Sequence, residues 1–239
     1  MSRRVDGLQR GRQEAFVLPD NGRSRGLPRA ENQSCGRSVH ALAVLANGHL
    51  ASGSGDGTIR LWNPASGVCE GTLEGHADSV AALAVLADGR LASGSKDDTI
   101  RLWNPVSGAC DATLERKNVG SSDALAVLGD GRLASGSRDG TIRLWNPASL
   151  VCEATLVGHT DPVLALAVLA DGQFASGSSD RTIRIRQERN GRWAGTVQFV
   201  TDANINALAF AERLGVLAAG DGSGSVHFLK VDSDVPLPK

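Results

Sequence analysis

The chain has 239 residues, a formal net charge of −1 and a pI near 6.5. Near-neutrality excludes a global field drawing it to nucleic acid or an anionic membrane, and no apolar run approaches the ~20 residues a spanning helix needs. The length is enough to bury a sizeable core, and the polar, Arg-rich start lacks the apolar centre of a secretory signal.

Residues 1–34 differ in composition from the rest. Arg3, Arg4, Arg10, Arg12, Arg23, Arg25 and Arg29 dominate, among Gly and Pro. The reading is a mostly disordered segment, with a basic arm for an acidic partner as the functional alternative. Asp6, Glu14 and Asp20 argue against a transit peptide. The one apolar knot is Ala15-Phe16-Val17-Leu18, stopped by Pro19, so 13–18 is the candidate for a strand.

From Cys35 onwards short strands alternate with turns. Val39 to Ala46 reads as a strand, Asn47-Gly48 as a hairpin turn, and Leu50 to Ser54 as the second strand. Asp56-Gly57 turns the chain again, Thr58 to Trp62 is rich in β-formers, and Val68 to Leu73 completes a four-stranded unit. The unit returns from Val80 to Leu114, from Ala124 to Leu156, from Val163 to about Phe199 and, worn, from Ile205 to about Val231. Trp62, Trp103 and Trp145 close the first three copies at spacings of 41 and 42; Arg186 stands in that place in the fourth and Leu229 in the fifth. First strands such as Ala82-Leu83-Ala84-Val85-Leu86 are almost continuously apolar, as for strands buried on both faces. A period of ~40–45 residues with four short strands per unit is the signature of propeller blades.

The second unit reads Gly75-His76, then LASGS-K-D-D-TIRLW from Leu91 to Trp103. That motif, repeated, resembles the WD40 repeat over roughly residues 35–231. The resemblance implies an all-β propeller of about five four-stranded blades, near 35–74, 75–115, 116–157, 158–200 and 201–239, with an incomplete or open ring allowed. It also implies a structural tetrad at His76, Ser93, Asp97 and Trp103. Partial tetrads follow at Ser52, Asp56 and Trp62, at Ser135, Asp139 and Trp145, and at His159, Ser176 and Asp180. Cys35 and Asn118 stand where blades one and three would carry the histidine, and blade five has Ala219, Ser223 and Leu229.

A Ser, a His and an Asp in one unit also invite a catalytic reading. Ser and Asp recur in four units, which suits scaffolding better than one active site, so no catalytic residue is expected. Gly129-Asp130-Gly131-Arg132-Leu133-Ala134 matches a dinucleotide fingerprint but lies between two strands, and Asp97-Asp98 starts no calcium-loop series. No cofactor or metal is expected. Cys69, Cys110 and Cys152 occupy equivalent positions on different blades, too far apart for disulfides, and read as free thiols. They point to an intracellular, cytoplasmic setting. Arg60, Arg101, Arg143 and Arg184 stay fixed, each two residues before the Trp position. They read as structural, with stems packed between blades and cation–π contact available.

Variation between copies gathers in the loops. The residue before the turn Asp is Gly55, Lys96, Arg138, then Ser179; the residue after it is Gly57, Asp98, Gly140, then Arg181. Loops entering the first strands differ most, with Arg116 and Lys117 in the third. In a meander both loop types emerge at one end. Lys96, Asp98, Arg116, Lys117, Arg138, Ser179 and Arg181 therefore form the candidate partner-binding loops. The expected function is a non-enzymatic scaffold presenting that face to another protein, without nucleic acid or membrane. A small-ligand or sugar-binding propeller, a propeller enzyme and a fragment of a larger WD40 protein stay open as alternatives. Two prolines after Val231 make a poor fourth strand for blade five. Residues 13–18 are the expected closing strand; otherwise an open arc would associate with another copy.

Overall fold

A computed structural model describes residues 37–115 and 120–231. Blade one comprises β1 (Val39–Val44), β2 (Leu50–Ser54), β3 (Ile59–Asn63) and β4 (Val68–Leu73). Blade two comprises β5 (Val80–Val85), β6 (Leu91–Ser95), β7 (Thr99–Trp103) and β8 (Cys110–Glu115). Blade three follows as β9 (Ser122–Val127), β10 (Leu133–Ser137), β11 (Ile142–Asn146) and β12 (Val151–Leu156). Blade four is β13 (Val163–Val168), β14 (Phe174–Ser178), β15 (Thr182–Arg189) and β16 (Arg192–Val200). Blade five has three strands among the described residues, β17 (Ile205–Ala211), β18 (Val216–Asp221) and β19 (Val226–Lys230). Each sheet is an antiparallel meander paired in chain order, which makes a five-bladed β-propeller architecture. Residues 13–18 and the prolines after Val231 lie outside the described residues.

Side-chain chemistry sets the turns. Asn63 Oδ1 accepts from the amides of Ala65 (3.0 Å) and Ser66 (3.3 Å), so the Asn-Pro step folds back on itself; Asn104 and Asn146 do the same. In blades one to three the third and fourth strands share a register shift at the Trp. Blade four, which lacks that Trp, places its shift at Ile183/Arg184 and runs on into longer strands, 8 and 9 residues.

Blades adhere through seams of one recurring composition. Blade one turns Leu45, Ala51, Ile59, Leu61 and Leu73 towards Leu83, Val85, Leu91 and Trp103 of blade two. Blade two presents the equivalent set to blade three, blade three to blade four, and blade four to blade five. Blades two and three thus meet the preceding back face of Ala, Ile and Leu type with a front of Leu, Val, Leu and Trp; blade four uses Leu166, Val168, Phe174 and Trp193, and blade five Leu208, Phe210, Leu217 and Leu229. At each seam the Gly of the second strand admits the next blade. A Cβ on Gly53, Gly94, Gly136 or Gly177 would come within 2.3–2.7 Å of Val80, Ser122, Val163 or Ile205. Trp103 and Leu91 are 1% and 0% exposed in such a seam, each burial contributing roughly 1.5–3 kcal/mol or more.

Candidate interaction face and the polar network beneath it

The turn after each second strand and the loop entering each first strand meet at one end of the blades. Lys96 N donates to Ser79 O (3.0 Å), Arg138 N to Ser121 O (3.4 Å), Ser179 N to Pro162 O (2.9 Å) and Gly222 N to Asn204 O (2.9 Å). The face crosses seams too, because Ser79 Oγ donates to Gly55 O of blade one at 3.3 Å. Lys96, Arg138 and Arg181 are exposed on this face, whereas Asp98 and Ser179 are half-buried. Arg116 and Lys117 lie outside the described residues.

Beneath this face the structure brings His76, Ser93, Asp97 and Trp103 into one chain. His76 Nδ1 lies 2.8 Å from Asp97 Oδ2, His76 Nε2 lies 2.6 Å from Ser93 Oγ, and Trp103 Nε1 donates to Ser93 Oγ at 2.7 Å. An ionised Asp97 only accepts, so His76 Nδ1 carries the proton and Nε2 accepts from the Ser93 hydroxyl. Burial depresses the His76 pKa against the opposing pull of Asp97, which keeps the ring neutral at pH 7. Burial alone would raise Asp97. Its bonds from the Thr99 hydroxyl, the Ala77 amide and His76 outweigh that and hold it at about 2. Ser93, at the centre of this network, is 0% exposed.

Two contributors are invisible in the four-residue pattern. Thr99 Oγ1 donates to Asp97 Oδ1 (2.7 Å), and Ser95 Oγ donates to Asp78 O (2.9 Å) while accepting from the Asp97 amide (3.1 Å). Both types recur in every LASGS-x-D-x-T copy, so the repeat itself was the available signal.

Four copies of this motif, in four sheets of the same pairing, settle the family. The WD domain, G-beta repeat family matches residues 31–63, 67–104, 116–146 and 150–186, more than half of the chain. The chain is a WD40-repeat protein. No curated protein matches it.

The other WD40 blades complete their networks differently. In blade four His159 bridges Asp180 (2.8 Å) and Ser176 (2.8 Å), and Asp180 is again held at about 2, its bonds from Thr182 and His159 outweighing burial. Arg186 fills the Trp slot and donates to Val157 O at 2.9 Å. Its Nε and Nη2 have no protein partner, and burial together with the neighbouring Arg184 lowers its pKa to about 10. Gly195 makes the room, since a Cβ there would stand 2.9 Å from Arg186 Cδ. The packing of the missing indole, though not its hydrogen bond, is replaced from the outer strand: Trp193 Nε1 has no protein partner. Trp193 packs on Phe174 with centroids 5.4 Å apart, and Arg132 of blade three covers it at 5.2 Å.

In blades one and three Trp62 and Trp145 still donate to Ser52 (2.8 Å) and Ser135 (2.9 Å). The partner of the turn Asp is the invariant Arg: Arg60 reaches Asp56 Oδ2 at 3.3 Å and Arg143 reaches Asp139 Oδ2 at 3.2 Å. Cys35 and Asn118, at the histidine position of these blades, lie outside the described residues. Where a histidine already holds the Asp, the Arg is released: Arg101 lies 6.0 Å from the Trp103 ring. Blade five substitutes Asp221, which accepts from the Ser223 and Ser225 amides (2.9 and 3.0 Å) and pairs with His227 (2.7 Å). Those bonds from His227 and Ser223 hold its carboxyl well below the usual range. Cys110 and Cys152 are free thiols on the outer strands, and Cys69 Sγ, at the equivalent position of β4, donates to Gly71 O at 3.4 Å.

Proposed function

We propose that this WD40 protein is a non-enzymatic scaffold that presents the turn-and-entry-loop face to a partner protein. WD40 propellers generally serve as protein-interaction scaffolds and are typically non-enzymatic. The observation that carries the finer reading is variation on that face at positions that otherwise repeat, from Gly55 through Lys96 and Arg138 to Ser179 before the turn Asp, and in the residue after it. The residue after the turn Asp sits in the left-handed region in each of the first four blades, as Gly57 (φ 84°), Asp98 (φ 64°), Gly140 (φ 79°) and Arg181 (φ 66°). Glycine takes that conformation without a Cβ penalty, whereas an ordinary side chain there costs on the order of 1–2 kcal/mol. Packing does not call for Arg181, which is exposed. Ordinary residues at positive φ also stand in loops of the other end, as Leu150, Asp171 and Asn190, so it is the change of residue between equivalent positions of this face that supports recognition there. The free outer-strand thiols of Cys110 and Cys152 support an intracellular, cytoplasmic setting.

The test is capture from a lysate of the source cell by tagged chain, compared with a variant carrying Lys96→Glu, Arg138→Glu and Arg181→Glu. A control carries Asn47→Asp and Asn190→Asp, in loops at the other end of the blades. The expected result is a partner retained by wild type and control and lost from the triple variant, with unchanged far-UV circular dichroism. Equal capture by all three rejects this face.

A further inference from the structure

Four seams join five blades, and they leave two faces over. Among the described residues no apolar cluster joins blade five to blade one. Front-face residues are buried or half-buried in blades two to five, but Leu42 and Val44 of blade one are 68% and 67% exposed. The matching back face of blade five leaves Val226 and Phe228 61% and 74% exposed, where their counterparts Ile100 and Leu102 of blade two are both 0%. The knob-and-hollow contact is also unpaired at both ends. Val80, Val163 and Ile205 are fully buried against the Gly of the preceding blade, yet their equivalent Val39 is 45% exposed. Gly220, the equivalent hollow of blade five, has only Ala207 of its own blade near its Cβ position, at 3.8 Å.

We propose that these two faces are partners between copies: the chain assembles head to tail, blade one of one copy seated on blade five of the next. Val39 of the first copy enters the hollow at Gly220 of the second, and Leu42, Val44, Leu50 and Trp62 cover Ala209, Ala218, Val226 and Phe228. The proposal continues an interface that the molecule already makes four times, with the same residue types in the same strand register. Such a contact joins unlike surfaces, so it propagates to a closed ring or an extended filament rather than stopping at a symmetric dimer. It involves neither the loop face nor the proposed partner, and its test is independent of both.

The full chain is measured by light scattering across a concentration series, beside Leu42→Glu, Phe228→Glu and Gly220→Val. The wild type is expected to gain mass with concentration. Leu42→Glu and Phe228→Glu each destroy one face and are expected to stay monomeric alone. Mixed, they are expected to form a 1:1 dimer that grows no further, because only one intact front and one intact back remain. Gly220→Val adds no charge, and its φ suits any residue in the isolated chain, but it fills the hollow and is expected to abolish assembly. A wild type that stays monomeric throughout overturns the proposal. So does assembly that persists in Gly220→Val, or a mixture of the two charged variants that fails to pair.

Discussion

Blades two and three share one strand register and one motif, yet they satisfy the turn aspartate by different routes. In both, Oδ1 takes the amide and hydroxyl of the threonine two residues on, Thr99 at 3.0 and 2.7 Å and Thr141 at 2.9 and 2.6 Å. They part at Oδ2. His76 arrives from the entry loop, 21 residues earlier in the chain, and the Asp97 side chain is 9% exposed. Arg143 arrives from four residues away on the next strand, and Asp139 is 28% exposed. The carboxylate is partnered in each, but in blade two the partner is a histidine of the entry loop, whereas the described part of blade three's entry loop is tied through Arg138 N to Ser121 O. The arginine pair is local and wetter. The same exchange separates blade four, with His159, from blade one, with Arg60.

The largest test of that contrast is His76→Ala. It leaves a mostly buried Asp97 without one partner, and Ser93 without its acceptor. Bonds to charged groups are worth about 1.5–3 kcal/mol, so urea unfolding should show a loss in that range. His49→Ala is the control: its Nε2 meets Glu70 at 2.8 Å where both side chains are substantially exposed, and it should cost well under half as much. Equal midpoints would remove the special role of the His76 network.

A smaller effect separates the two arginines. Arg143→Ala breaks the pair with Asp139 and should cost about 0.5–1 kcal/mol, as expected of a partly exposed ion pair. Arg101, whose blade has a histidine, should cost less on removal than Arg143. The reverse order, measured in the same urea titration, would mean that the packing of Arg101 against Trp103 outweighs the Arg143–Asp139 ion pair.

The last effect appears in mild acid. His76 and His159 have folded-state pKa values depressed below the ordinary 6.5, by burial first. The unfolded chain therefore binds protons that the folded chain refuses, and stability is full above pH 6.5 and declines as pH falls through and below it. Asp97 and Asp180, at about 2 against an ordinary 3.8, add a second decline only below pH 4. Replacing both histidines by Asn should flatten the curve between pH 6.5 and 5 and leave the steeper fall below pH 4 in place. An unchanged slope across the first window would contradict neutral buried histidines.

The sequence by itself determined the repeat, and with it the meander, the turns and the tetrad positions. Asp-Gly, Asn-Gly and Asn-Pro act through their own backbone angles and side-chain caps, and the LASGS and TIRLW runs act through local strand preference, so a short window carries each of them. The expected inner strand of blade one, Val39 to Ala46, ends at Val44 because Leu45 already belongs to the turn, donating its amide to His49 O (2.8 Å). Other features were decided only by the tertiary structure. Trp193 stood outside the motif. It supplies the ring packing missing at Arg186 by lying against Phe174, from an outer strand that no repeat pattern links to it. Arg60 and Arg143 take up Oδ2 of the turn Asp in blades one and three, whereas the entry-loop histidine does so in blades two and four, a difference set by which side chain the tertiary fold brings to that oxygen. The open front of blade one and the open back of blade five are likewise tertiary. Leu42 and Leu83, or Phe228 and Leu102, are equivalent in the repeat, and burial depends on whether another blade stands against them.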